Sequence, residues 1–161
     1  MENKQINLRI HHFFDIIRTF GKREDKLSLH PYGHSFHKIA GIIRDNPGLK
    51  IKNVIECDSV CEGCIYYKNG RCEDSINYRN DFVSKEKFNN WLDERIIEKC
   101  LIKKREVLTP IQLREKAKLY LNNMEYIYSG NDFWHTEQRK KDVFEGLKLY
   151  LELHKVKLES E

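Results

Sequence analysis

No apolar run in these 161 residues is long enough to cross a bilayer, and the first ten, MENKQINLRI, are charged and polar with no apolar signal core. The expectation is a cytoplasmic protein without a membrane partner. Proline is scarce, at three residues, and neither an internal repeat nor a low-complexity segment is present, which excludes solenoid and linker-rich architectures. Charge of one sign is also lacking. Charged residues make up 34% of the chain, yet the net charge is only +4, so the composition argues weakly for nucleic acid as a partner.

The chain does have a concentration of thiols. Four of its five cysteines, Cys57, Cys61, Cys64 and Cys72, fall in the stretch ECDSVCEGCIYYKNGRCED. In a reducing compartment such crowding points to metal or redox chemistry more than to disulfides. Thiolates are soft ligands, and several close in sequence can wrap one centre without a large fold to assemble them. The spacing C-x3-C-x2-C-x7-C suits an iron–sulfur cluster, taken as [4Fe–4S], or zinc: Gly63 and Asn69-Gly70 supply the turns that would return the later cysteines to the first. The C-x3-C-x2-C core also occurs in radical enzymes that bind an adenosyl cofactor, but those need a barrel larger than this chain provides. Cys100 stands alone and reads as a packing thiol.

Apolar periodicity gives the frame. Residues 6–10 read as a strand running into a helix that carries Phe13, Ile16, Ile17 and Phe20 up to Gly21. A second helix covers residues 35–44 and stops at Asn46-Pro47-Gly48, and residues 49–56 form a strand ending at Cys57. Beyond the cysteines, one helix starts at Ser84 and another at Thr109-Pro110-Ile111-Gln112, a capping-box sequence. A last one starts near Thr136 with Val143, Phe144, Leu147, Tyr150 and Leu151 inward; residues 101–102 and 107–108 are short extended pieces. The expected fold class is α+β: a helix-rich single domain, residues 1–161, with a small two- or few-stranded sheet and a cysteine-rich metal-binding loop. Within it residues 1–75 hold the strand–helix–helix–strand unit and the cysteines, and residues 76–161 are mainly helical.

If the two strands are parallel neighbours, both end at one edge, where open α/β units bind ligands. His11 and His12 leave the first strand; Glu56, Cys57 and Asp58 leave the second. Histidines and cysteines are therefore expected to converge. His34 and His37 would share a helix face at the surface, and His30, His135 and His154 carry less signal. Tyr66 and Tyr67 lie among the cysteines and would shield a cluster, while of Trp91, Trp134 and the remaining tyrosines most fall at core-facing helical positions and read first as packing residues. The basic stretch 99–118 reads first as a solvated helix face.

The stretch Arg9-Ile10-His11-His12-Phe13-Phe14-Asp15 resembles the Arg-Gly-His-His-Leu-Leu-Cys signature that opens a family of small bacterial and archaeal proteins of unknown function, thought to bind iron–sulfur. Asp58-Ser59-Val60-Cys61, followed by Cys64, Gly70 and Cys72, is similar to that family's second signature. The likeness covers mainly residues 8–75. It implies a cluster site on the cysteines. Here Asp15 stands where the signature has a cysteine, and Cys57 adds a thiol just before the second signature. The expected ligands are thus Cys57, Cys61, Cys64 and Cys72, with His11, His12 and Asp15 as additional candidates. The resulting expectation is a cytoplasmic iron–sulfur protein that serves a redox partner or conducts chemistry at the cluster. The alternative is a zinc-stabilised, non-enzymatic module that binds a protein or nucleic acid.

Overall fold

The computed structural model describes residues 4–23 and 28–159, with side chains as far as Lys155. The chain is a helix-rich α+β single domain in which a small sheet lies beside six helices: β1 (Gln5–Leu8), α1 (Ile10–Gly21), α2 (Phe36–Asp45), β2 (Lys50–Asn53), β3 (Tyr67–Lys68), β4 (Arg71–Cys72), α3 (Lys85–Cys100), β5 (Val107–Leu108), α4 (Pro110–Asn122), α5 (Met124–Ile127) and α6 (Phe133–Glu159). Strands β1 and β2 are parallel neighbours, with Ile6 opposite Ile51 and Leu8 opposite Asn53, as the strand–helix–helix–strand order requires. On the far side β5 pairs antiparallel with β2, so residues 107–108 are extended as expected.

Helix α1 is the axis of the core. Phe13, Phe14, Ile16 and Ile17 have no exposed surface, so within about one and a half turns the side chains face protein on more than one flank. Its main neighbour is α6, with α3 beside it, so the N-terminal unit and the helical half share one apolar core. The two helices pack backbone to backbone where Gly21 meets the Asp142 carbonyl and Gly146 meets the Ile17 carbonyl; a Cβ at either position would collide with main chain. Phe14 also stacks on Tyr120 of α4, ring centres 3.8 Å apart.

Local signals set most element ends. Ser84 accepts from the Lys87 N–H, and Thr109 and Gln112 form the reciprocal capping box. Five expectations need correction. Strand β1 stops at Leu8 rather than residue 10, because Arg9 takes the N-cap position and its carbonyl already accepts from the His12 and Phe13 N–H groups. Strand β2 covers only residues 50–53 of the expected 49–56. Leu101 is not extended: it ends α3 in the left-handed region at φ 57°, leaving its side chain exposed while Ile102 is buried. Helix α6 starts at Phe133, three residues before Thr136, because Asp132 accepts from the His135 N–H. Its inner stripe runs through Arg139, Asp142, Val143, Gly146, Leu147 and Tyr150, which turns Phe144 outward at 54% exposure instead of inward. No helix among the described residues is long and apolar enough to cross a membrane.

Candidate functional site: a thiol cluster and a histidine chamber joined by Asp58

Residues 57–72 are folded. A 3-10 turn (Ser59–Cys61) is followed by a tight turn in which the Cys64 N–H donates to the Cys61 carbonyl at 3.0 Å, and the β3–β4 hairpin then sets Cys72 opposite Tyr67. Asn69 and Gly70 both take positive φ, 53° and 77°, in the two-residue turn of that hairpin, as an Asn-Gly pair favours. The segment is strapped from outside by residues 30–35. Ser35 N–H donates to the Val60 carbonyl and Ile65 N–H to the Tyr32 carbonyl, both at 2.8 Å. Gly33 and Gly63, both at positive φ, meet so closely that a Cβ on either would lie 2.6 Å from the other's carbonyl oxygen. Tyr66, half-buried, packs edge-on against Tyr32, while Tyr67 faces solvent.

The four thiols are half-buried and unbridged. Cys57 lies within electrostatic range of Cys61 and Cys72, and Cys72 within range of Cys64. They neighbour one another in pairs rather than as a closed set: among the described residues, no group of three or more His, Cys, Asp or Glu side chains could hold a metal ion as they stand. Glu86, in the first turn of α3, anchors the segment, accepting from the Cys72 N–H at 3.2 Å and from Arg71 Nε at 3.1 Å. Burial pushes the thiols of Cys57, Cys61 and Cys72 up, and Cys61 far above its ordinary range because the Asp58 carboxylate also opposes a thiolate there. A bound cation reverses that balance.

One cation is already built in. Arg9 is 1% exposed, and its Nη1 donates to Asp93 Oδ2 and Asn90 Oδ1, both at 2.9 Å. Its Nη2 is buried with no hydrogen-bond partner among the described residues, and the guanidinium lies within electrostatic range of Cys57. Within electrostatic range of Cys57, then, lies a buried guanidinium that is paired with Asp93 and keeps one donor unused, while the four thiols as they stand do not close into a ligand set.

Asp58 links this cluster to the histidines. Its Oδ1 accepts from the Val60 N–H at 3.1 Å and from the Cys61 thiol at 3.5 Å; its Oδ2 accepts from the Arg9 N–H and lies 2.7 Å from His12 Nδ1. His12 and Asp58 thus hold each other charged. Burial works against both, but the His12–Asp58 attraction outweighs it, raising the His12 pKa and lowering that of Asp58. His11 makes the equivalent pair with Asp93 of α3, 2.8 Å from Nδ1 to Oδ1, and the two rings sit 4.3 Å apart. With each Nδ1 committed to a carboxylate, Nε2 is the nitrogen each ring has left for a ligand. Asp15, one turn along, is paired with Arg139 of α6 at 2.6 Å.

His11, His12 and Asp15 line a chamber of about 760 Å³ between α1, α3 and α6. Its remaining wall includes His34, His135, Arg18 and Arg139, with apolar surface from Phe36, Phe88 and Leu92. The volume lies in the range of small-molecule sites. The expected convergence of histidines and cysteines is therefore present, mediated by a carboxylate. His34 is not on a helix face with His37, since α2 begins after it; it stands in the preceding turn with its ring stacked on His30. Cys100 is fully buried away from the other thiols, as a packing residue.

Asp93, Arg18 and Arg139 are site residues that the sequence reading does not single out. The signal available was an acidic or basic residue on a core-facing stripe: Asp93 lies three before Ile96 and seven before Cys100, and Arg139 lies four before Val143. No family model, curated protein or solved structure matches the chain.

Proposed function

We propose that the protein is a cytoplasmic metal-binding protein that holds an iron–sulfur cluster, of the [4Fe–4S] type, through Cys57, Cys61, Cys64 and Cys72. The observation that carries this reading is the buried Arg9 guanidinium, which is paired through Nη1 with Asp93 and Asn90 but leaves Nη2 without a partner among the described residues and lies within electrostatic range of Cys57. A cluster bound by four thiolates is a net anion, and a nearby buried cation with a free donor offsets its charge and raises its potential. The strap of residues 30–35, which ties down the backbone on either side of Cys61 and Cys64, supports the same reading because it holds the segment in a fixed shape. The resemblance of residues 8–75 to a family thought to bind iron–sulfur points the same way. Held by four thiolates, such a group would supply electron transfer, and a redox protein is the partner it calls for; cluster-based chemistry would need one corner released by its thiolate. The chain's own residues orient it: Glu86 fixes the hairpin, and Asp58 sets the Cys61 thiol relative to His12.

A zinc-stabilised module that binds a protein or nucleic acid is the second reading, favoured by the tight turn from Cys61 to Cys64 and the short hairpin after it, a knuckle-like arrangement. Anaerobic purification separates the two. A brown protein with visible charge-transfer absorption supports the cluster, while a colourless protein with bound zinc supports the module.

A further inference from the structure

The chamber's charges are arranged in a way the thiol centre does not explain. At one end Arg18, Arg139 and His135 gather: burial first and then the two guanidiniums disfavour a charge on His135, and Asp132 and Asp15 offset them only in part. At the other end burial, and then the neighbouring His30, His12 and Lys85, disfavour a charge on the His34 ring. Between the two lies Asp15, already committed to Arg139. Lys85 has Asp74 at 3.2 Å, and Arg18 has Asp142 only at 3.8 Å.

Two donors are left over. Arg139 is 9% exposed, and its Nε is buried without a hydrogen-bond partner among the described residues; the same holds for Arg18 Nε. Both residues line the chamber. A buried guanidinium N–H left unpaired is costly, so an acceptor oxygen that reaches either donor would be held there. Phe36, Phe88 and Leu92 add an apolar wall that a bare inorganic ion would not need.

We propose that this chamber is a binding site for a small organic anion bearing carboxylate or phosphate oxygens, seated against Arg18, Arg139 and His135 and extending toward the Nε2 edges of His11 and His12. The anion's oxygens accept from the guanidinium N–H groups, and its carbon skeleton lies on the phenylalanine wall. The site stands independently of the metal reading, since none of the four clustered cysteines lines it.

Calorimetric titration of the purified full chain with succinate and with inorganic phosphate, at constant ionic strength and with glycerol as the uncharged control, tests the site. Saturable binding of either anion, weakened about tenfold or more in His135→Gln and in Arg18→Gln, is expected, since hydrogen bonds to charged groups carry that order of energy. His135 is exposed, so its variant folds independently of the outcome. Stronger binding of succinate identifies a carboxylate ligand; stronger binding of phosphate identifies a phosphoryl ligand. No saturable binding of either anion, or equal affinity in both variants and the parent, overturns the proposal. Metal analysis of the same samples keeps this result distinct from that of the thiol centre: loss of anion affinity with metal content unchanged is the expected pattern.

Discussion

His12 Nδ1 lies 2.7 Å from Asp58 Oδ2, and the other oxygen of that carboxylate accepts from the Cys61 thiol. A single buried side chain thus touches both the thiol segment and the histidine chamber, and it also caps the Arg9 N–H where strand turns to helix. Asp58→Asn keeps the shape but removes the charge that holds His12. A loss of about 2 kcal/mol in unfolding free energy is expected, together with a changed visible spectrum at similar metal content. Urea unfolding and absorption check both, and a variant unchanged in both would separate the two halves of the site.

The thiols differ in what they do. Replacing Cys61, Cys64 or Cys72 singly with Ser is expected to remove most bound metal, because each loss takes a thiolate from a site with few alternatives. Cys100→Ser is expected to leave metal content unchanged. Burial pushes the Cys100 thiol up to about 12, so it should also resist iodoacetamide in the native state and react only on unfolding. Mass spectrometry of labelled protein reads this directly, and native labelling of Cys100 would show that its setting has been misjudged.

The α1–α6 crossing depends on the absence of side chains. Gly146→Ala places a Cβ against the Ile17 carbonyl and Gly21→Ala places one against that of Asp142, so each is expected to cost about 3 kcal/mol by forcing the helices apart. Gly41, inside α2, has nothing within 4 Å of its would-be Cβ. Gly41→Ala should therefore stabilise the fold by about 0.5–1 kcal/mol through helix propensity. Opposite signs in chemical denaturation are the expected result.

Acid should weaken the pair that joins α1 to α6. Burial pushes the Asp15 carboxyl up, but the Arg139 guanidinium, helped by His11, outweighs it and holds Asp15 below its ordinary range. A depressed folded-state value contributes stability above the unfolded value near 4, and that contribution is lost as pH falls through the folded one. Asp15→Asn is expected to flatten this acid limb in melting temperature against pH. An acid limb of unchanged steepness would assign it to other carboxylates.

Much of the frame was legible because it rests on local signals. The capping box at Thr109, the parallel pairing implied by strand–helix–helix–strand order, and the buried face of α1 all follow from residue spacing. The meeting of His11 and His12 with the cysteine segment followed from the same topology. The chamber was not legible, because its walls come from α1, α3 and α6, and nothing local in the sequence links Asp93 to His11 or Arg139 to Asp15 across 82 and 124 residues. The outward turn of Phe144 was missed for a related reason. The inner stripe of α6 is set by the close approach at Gly146 and by charged Arg139 and Asp142, which periodicity of apolar residues does not register.

Iron and acid-labile sulfide analysis of anaerobically purified protein, combined with titration of its accessible thiols, tests the central claim most directly. The expected result is iron and sulfide in comparable amounts with Cys57, Cys61, Cys64 and Cys72 protected until the metal is stripped. Metal-free protein whose four half-buried thiols react freely would contradict it.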